Sequence, residues 1–428
     1  MIIEKPKDGS ADIVIVNANE LVTLHSKFGV PRVGKNMEEL AIINNGALAI
    51  KGDKIIFVGK TEELEKQVKI DPVKTKRIDA KGKLVTPGFV DPHVHLIFAG
   101  SRENELAMKL AGKTYMEILA SGGGILKTVR ETRKANISEL VDNGMKILDK
   151  MLEYGTTTIE GKSGYGLTTG DEIKSLEAMK ILNEEHPIDI ISTFLGAHAI
   201  PPEYKDKPDD YVNLIITKML PKIAMLGLAE FCDVFCEEGV FTIDQTRKIL
   251  LAAEKYGFKK IIHIDEIVDT NGAALAAELH VVQTGHLLKS NDAGLKEMAK
   301  KGVIASLLPG TPFCLMLKEY ADARKMIDFG IPIAIATDLN PNCWTESMLM
   351  VIVLSCYNMK LSPAEALTAA TLNAACAIQR QNLIGSLEVG KQADIVIFDV
   401  PNYFFLSYQF GVNLVSKVIK KGKIVVER

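Results

Sequence analysis

The sequence predicts an α/β protein: a TIM-like (β/α)8 barrel carrying a small composite β-sandwich domain built from both chain termini. Three observations support this. From Val85 onward, short apolar, β-branched runs alternate with longer amphipathic stretches, the rhythm of parallel strands joined by crossover helices. Eight such runs occur between Leu84 and Thr337, the number that closes a barrel. The two ends of the chain instead read as short strands and tight turns, and the C-terminal portion is too short to bury a core of its own.

At 428 residues the chain exceeds the length at which one hydrophobic core usually stops growing, which favours a large unit plus a smaller one. The expected division is 1–84 and 379–428 for the β domain and 85–378 for the barrel. A hydrophobic content of 47% with 25% charged residues is that of an ordinary folded protein and excludes a disordered chain. The net charge of -3, with Lys and Arg scattered, offers no basic stripe to a nucleic-acid backbone and no polybasic patch to a membrane. The partner expected is therefore a small-molecule substrate. A homodimer is compatible with a barrel whose helices are exposed, though no seam is legible. The N-terminal residues contain no apolar signal-like core and no later run is long enough to span a bilayer, so a cytoplasmic protein is expected. The six cysteines show no Cys-x-x-Cys spacing and read as reduced thiols.

In chain order, residues 12 to 25 alternate or run β-branched, and Gly46 to Gly59 reads as a hairpin about Lys51-Gly-Asp-Lys54. The barrel runs are Leu84–Asp91, Thr156–Glu160, Asp189–Leu195, Glu230–Cys236, Lys260–Ile264, Val281–His286, Val303–Leu308 and Pro332–Thr337. Between them, helical spacing of apolar residues predicts helices over 137–153, 171–185, 209–226, 243–256, 291–301 and 346–358. Ser362-Pro363 opens a further helix, with serine as N-cap and proline at the first helical position. Strands return from Gly385 to Asp399 and from Val412 to Val426.

The chemistry gathers where these runs end. After the first, His93 and His95 stand at i and i+2, so in an extended segment both imidazoles point the same way. Glu160 closes the second run and leads into a glycine-rich loop that can carry Tyr165 over a pocket; His198 follows the third, His263 and Glu266 the fifth, His286 the sixth and Asp338 the eighth. Three imidazoles and a carboxylate, His93, His95, His263 and Asp338, suit one borderline divalent ion such as zinc or iron, with a position left for water. Asp338 or Glu266 could accept a proton from that water and return it to a leaving nitrogen, and His286 could share this work or polarise a carbonyl. The fourth run has no lysine that could be carboxylated to bridge two ions, which favours one metal.

With these residues in view, the chain resembles the amidohydrolase superfamily. The resemblance rests on Asp91-Pro-His-Val-His-Leu-Ile-Phe-Ala-Gly-Ser-Arg102, Gly112-Lys-Thr-Tyr115 with Gly122-Gly-Gly-Ile125, Glu160-Gly-Lys-Ser-Gly-Tyr-Gly-Leu167 and Thr337-Asp-Leu-Asn-Pro341. The two middle segments narrow it to the branch that opens 4-imidazolone-5-propanoate to N-formimidoyl-L-glutamate. The resemblance implies one zinc or iron ion on His93, His95, His263 and Asp338, and substrate contacts from Arg102, Tyr115, Tyr165, His198, Glu266 and Asn340. Asn342 and Cys343 stand in the same substrate-facing loop where that branch usually has glycine and then serine or threonine, and Thr284-Gly285-His286 replaces its usual Ala-Asp-His. The nearest alternative is an aminohydrolase of another heterocycle, whose substrate would carry no carboxylate for Arg102.

Overall fold

The computed structural model describes residues 10–25, 30–113, 117 and 122–428. Its strands fall into two sheets. The chain starts with β1 (Ile13–Val22), β2 (Ile42–Lys51), β3 (Lys54–Lys60), β4 (Lys76–Asp79) and β5 (Leu84–Pro87). It then enters the barrel through β6 (Phe89–Val94), β7 (Thr156–Lys162), β8 (Asp189–Ala197), β9 (Phe231–Cys236), β10 (Lys259–Ile264), β11 (Gln283–His286), β12 (Ile304–Leu307) and β13 (Ile333–Ile335). It ends with β14 (Ile395–Phe398), β15 (Val415–Lys420) and β16 (Lys423–Glu427).

The terminal strands form one mixed sheet in the order β16-β15-β14-β5-β1-β2-β3, with β4 also paired to β1. Both ends of the chain thus build a single sheet, joined where β14 runs antiparallel to β5. Alternation sorts its side chains. Ile395 and Ile397 share a core with Ile13, Ile15, Leu48 and Ile50, while Val396 and Phe398 point the other way into the barrel's core. The predicted hairpin is present, turning at Gly52-Asp53, where Gly52 has φ +58°.

The first apolar run differs from expectation. Leu84–Asp91 reads as one strand, but Leu84–Pro87 pairs in the terminal sheet and the barrel begins at Phe89. Gly88 makes the switch: a Cβ there would lie 2.3 Å from Thr157 Oγ1, so only glycine lets the chain cross so close to β7.

The eight barrel strands lie in sequence order, parallel throughout. Closure comes from two backbone bonds past the strand ends, His95 N–H to Leu339 O at 2.9 Å and Asp338 N–H to His93 O at 3.1 Å. Three of the residues that zip the barrel shut, His93, His95 and Asp338, are thus also candidate site residues. Asp91, fully buried, accepts hydrogen bonds from Thr337 N and Oγ1 across the same seam.

The helices follow the apolar periodicity. Ile137–Glu153 is capped by Asn136, which accepts from Glu139 N while Glu139 bonds back to Asn136 N, and Ser362 makes the same box with Glu365. One helix departs: residues 208–226 are interrupted by a π-helical segment, Ile215–Met219. Pro221 has no N–H for the carbonyl of Thr217, so the ladder there cannot run in α register. No helix among the described residues is long and apolar enough to cross a membrane.

Candidate active site

The carboxyl ends of the barrel strands converge on a cluster of imidazoles. His93 and His95 extend from β6, with His93 wholly buried and His95 nearly so. His263 sits near the end of β10, and Asp338 follows β13 in the left-handed region at φ +51°. A short-side-chain aspartate tolerates that conformation, which turns its carboxylate back over the barrel. His93 Nε2 and His95 Nε2 lie 3.6 and 3.4 Å from Asp338 Oδ1, and His95 Nε2 lies 3.4 Å from His263 Nε2. The other oxygen of Asp338 is held by the Thr311 hydroxyl.

The donor set fits a metal cation. Among the described residues, both ring nitrogens of His93, His95 Nδ1 and Asp338 Oδ1 are buried without a hydrogen-bond partner, an arrangement that costs free energy unless something positive sits among them. Two overlapping triads, His93/His95/Asp338 and His93/His263/His286, each bring their ligand atoms within 4.8 Å of one another. Burial and the charge of Lys162 hold His93 neutral, far below the usual imidazole range, and burial brings His263 down to about 4. Burial pushes Asp338 the opposite way, but the neighbouring His95 and His286 rings and the Thr311 hydroxyl outweigh that and hold the carboxyl well below its usual range. Neutral imidazoles around an ionised carboxylate are the states a metal requires.

His263 also has an anchor that the sequence reading passed over. Its Nδ1 lies 3.0 Å from Asp233 Oδ2, a carboxylate in the middle of β9. A carboxylate only accepts, so Nδ1 carries the proton and Nε2 presents its lone pair to the cluster. Asp233 is in turn 2.9 Å from Lys162 Nζ, and Lys162 is 2.9 Å from Glu160, all three fully buried. The fourth run holds no lysine, but it does hold Asp233. The signal available was alternation, because Glu160 and Lys162 at i and i+2 face the same side of β7.

Around this centre stand the other expected residues. His198 stacks on His95 with ring centroids 4.8 Å apart, and its Nδ1 donates to Gly164 O at 3.1 Å, leaving Nε2 as an acceptor. Tyr165, 3% exposed, packs against His95 and His198, and burial pushes its hydroxyl far above the ordinary range so that it stays protonated. Glu266 Oε2 lies 3.5 Å from His286 Nε2, and burial raises the carboxyl above its usual value. His286 itself is held at φ +75°.

The loops around this centre are bonded largely to one another. Arg102 is paired within its own loop, its Nε and Nη2 both bonding Glu105 Oε2 at 3.0 and 2.8 Å. Its charge opposes the burial that raises the Tyr165 hydroxyl. Asn340 spends its side chain on its own turn, accepting from Asn342 N and Cys343 N and donating to Asp338 O. Asn342 Oδ1 accepts from Lys109 Nζ at 2.6 Å, tying the loop after β13 to the helix Glu103–Leu110, and Cys343 is buried with its thiol toward Thr337 O. Tyr115 lies outside the described residues.

A barrel with three histidines and an aspartate at its carboxyl-terminal mouth is the architecture of a metal-dependent hydrolase, and the amidohydrolase family model matches residues 84–425. The chain belongs to the amidohydrolase family. Within it, imidazolonepropionase of Alkaliphilus metalliredigens is 53% identical over 418 residues, spanning 97% of this chain and 98% of that one. Imidazolonepropionase of Geobacillus kaustophilus is 51% identical over 97% of this chain and 98% of its own length. Among solved structures, an adenosine deaminase from Xanthomonas campestris with bound zinc aligns at TM-score 0.71 and 17% identity, covering 98% of this chain and 93% of that one. Guanine deaminase of E. coli aligns at 0.70 and 18%, covering 97% and 99%. At such identities these neighbours share the fold.

Proposed function

We propose that this protein hydrolyses the ring amide of 4-imidazolone-5-propanoate to N-formimidoyl-L-glutamate, a step of histidine degradation. The observation that carries this reading is the buried His93/His95/His263/Asp338 cluster in a chain about half identical, end to end, to imidazolonepropionases. Water adds across the amide: its oxygen goes to the carbonyl carbon, the ring C–N bond breaks, and the departing nitrogen takes up a proton.

His93, His95, His263 and Asp338 would hold one zinc or iron ion, whose Lewis acidity makes hydroxide accessible at neutral pH and polarises the carbonyl. Glu266 and His286 form the proton-handling pair: a carboxyl raised by burial sits 3.5 Å from an imidazole, so a proton taken at Glu266 Oε2 can be passed on or returned to the ring nitrogen. Asp338 Oδ1 is the other candidate base. His198 and Tyr165 orient the ring with an acceptor and a protonated hydroxyl. Arg102, exchanging its Glu105 partner for the substrate, reads the propionate with its planar fork. Asn340 and Asn342 shape the loop opposite and Cys343 anchors it, while Tyr115 is assigned to the substrate by the family resemblance alone.

The test is incubation of the metal-loaded protein with imidazolonepropionate while the imidazolone absorbance is followed and the product identified as N-formimidoyl-glutamate. Turnover comparable on a heterocycle lacking the propionate, with none on imidazolonepropionate, would refute the reading.

A further inference from the structure

Among the described residues, the fully buried Glu160–Lys162–Asp233 cluster hydrogen-bonds to one group given a role in hydrolysis, His263, and so needs its own account. We propose that Lys162 is a positioning residue of the metal centre, acting through Asp233 to fix the orientation of the His263 ring. The proposal rests on the assignment of His263 as a metal ligand.

The geometry is a chain of three contacts. Lys162 Nζ is 2.9 Å from Glu160 and 2.9 Å from Asp233 Oδ2, and Asp233 Oδ2 is 3.0 Å from His263 Nδ1. The residues come from three strands, β7, β9 and β10, so the cluster ties neighbouring parts of the barrel wall at one level. Interiors of such barrels are ordinarily filled by Val, Ile and Leu, and buried ion pairs are generally no more stabilising than apolar residues of the same volume. A lysine with no exposed surface between two carboxylates is therefore poorly explained by stability alone.

Its effect on His263 follows from the contacts. Asp233 alone could meet Nδ1 from a range of angles, and Glu160 would repel it. The ammonium group bridges the two carboxylates and leaves Asp233 one position, aimed at Nδ1. The ring is then locked with Nε2 3.4 Å from His95 Nε2, where the other donors meet. Outer partners of this kind typically change metal affinity 10- to 100-fold, about the range expected here.

The experiment measures zinc affinity of the full-length, metal-stripped protein by competition with a chromogenic chelator, with metal-free far-UV circular dichroism as the folding check. Lys162→Met should bind zinc about 10- to 100-fold more weakly, and Asp233→Asn by a similar factor. The double variant should be no worse than the weaker single one, because both act through one ring. Because Lys162→Met leaves Glu160 buried without a counter-charge and can fail to fold, Lys162→Met/Glu160→Met removes that charge as well and should show the same weakening. Wild-type affinity in that variant would show that Lys162 only neutralises Glu160, and would overturn the proposal. So would singles whose effects multiply in the double. A wild-type protein that binds no zinc would refute the metal assignment, and the proposal with it.

Discussion

Arg102→Ala removes the one guanidinium assigned to the substrate carboxylate, and the structure shows why the single substitution must be paired with a second. The side chains of Arg102 and Glu105 are 11% and 5% exposed, and Glu105 Oε1 also accepts from Gly124 N. Truncating Arg102 strands a mostly buried carboxylate, and breaking a buried pair from one side costs about 3–5 kcal/mol. Its local environment includes Lys109, which offsets part of this. Loss of the propionate contact is a separate effect of about 2–5 kcal/mol, or roughly 30- to several-thousand-fold in kcat/KM. Arg102→Ala/Glu105→Gln separates the two, since glutamine keeps an oxygen for Gly124 N and leaves no charge behind. The assay is kcat/KM on imidazolonepropionate and on an imidazolone without the side chain, with Tm measured alongside. The expected outcome is a Tm near wild type in the double variant, a large loss on imidazolonepropionate and almost none on the analogue. Equal losses on both substrates in the double variant would show that Arg102 supports the loop and does not read the carboxylate.

Further outcomes are expected at three other residues. His263→Ala should lose most activity and much of its bound metal, checked by elemental analysis of the purified variant. Glu266→Gln should retain its metal and lose about 10²–10⁴-fold in kcat. Burial raises the Glu266 carboxyl, and a base works only when ionised, so wild-type activity should fall with decreasing pH along a limb lying above the ordinary glutamate value of about 4.3, a limb absent from the glutamine variant. Gly164→Ala should lower kcat/KM at least tenfold with its metal retained. Gly164 has φ +111°, and a Cβ there would lie 2.9 Å from Leu195 O and 3.0 Å from His198 Nδ1, displacing the ring stacked on His95.

The barrel, and the meeting of His93, His95, His263 and Asp338 at its mouth, could be read in the sequence because their signals are local. His93 and His95 share a face through simple alternation, and Asp338 follows a short apolar run. What escaped depends on pairing between distant segments. Nothing near Asp233 announces that it faces His263, because the contact exists only once β9 and β10 lie side by side. The division of Leu84–Asp91 between two sheets was hidden for the same reason: the run is apolar on both sides of Gly88, and only the approach of Thr157 explains the glycine. The π segment could have been found from Pro221, which the reading of 209–226 as one helix ignored.

The terminal sheet has a consequence for how the chain comes to be folded. β5 pairs with β14, and Leu84 waits for Phe398. At about 5–20 residues per second of synthesis, the partner strand arrives roughly 15–60 s after Leu84 has been made. During that interval the β5 edge and the apolar faces of β1 and β2 have no C-terminal strands to cover them, while the whole barrel emerges in between. An unpaired edge of this kind invites pairing with another chain. Slower synthesis lengthens that interval, so it should increase the share of chains lost to such pairing.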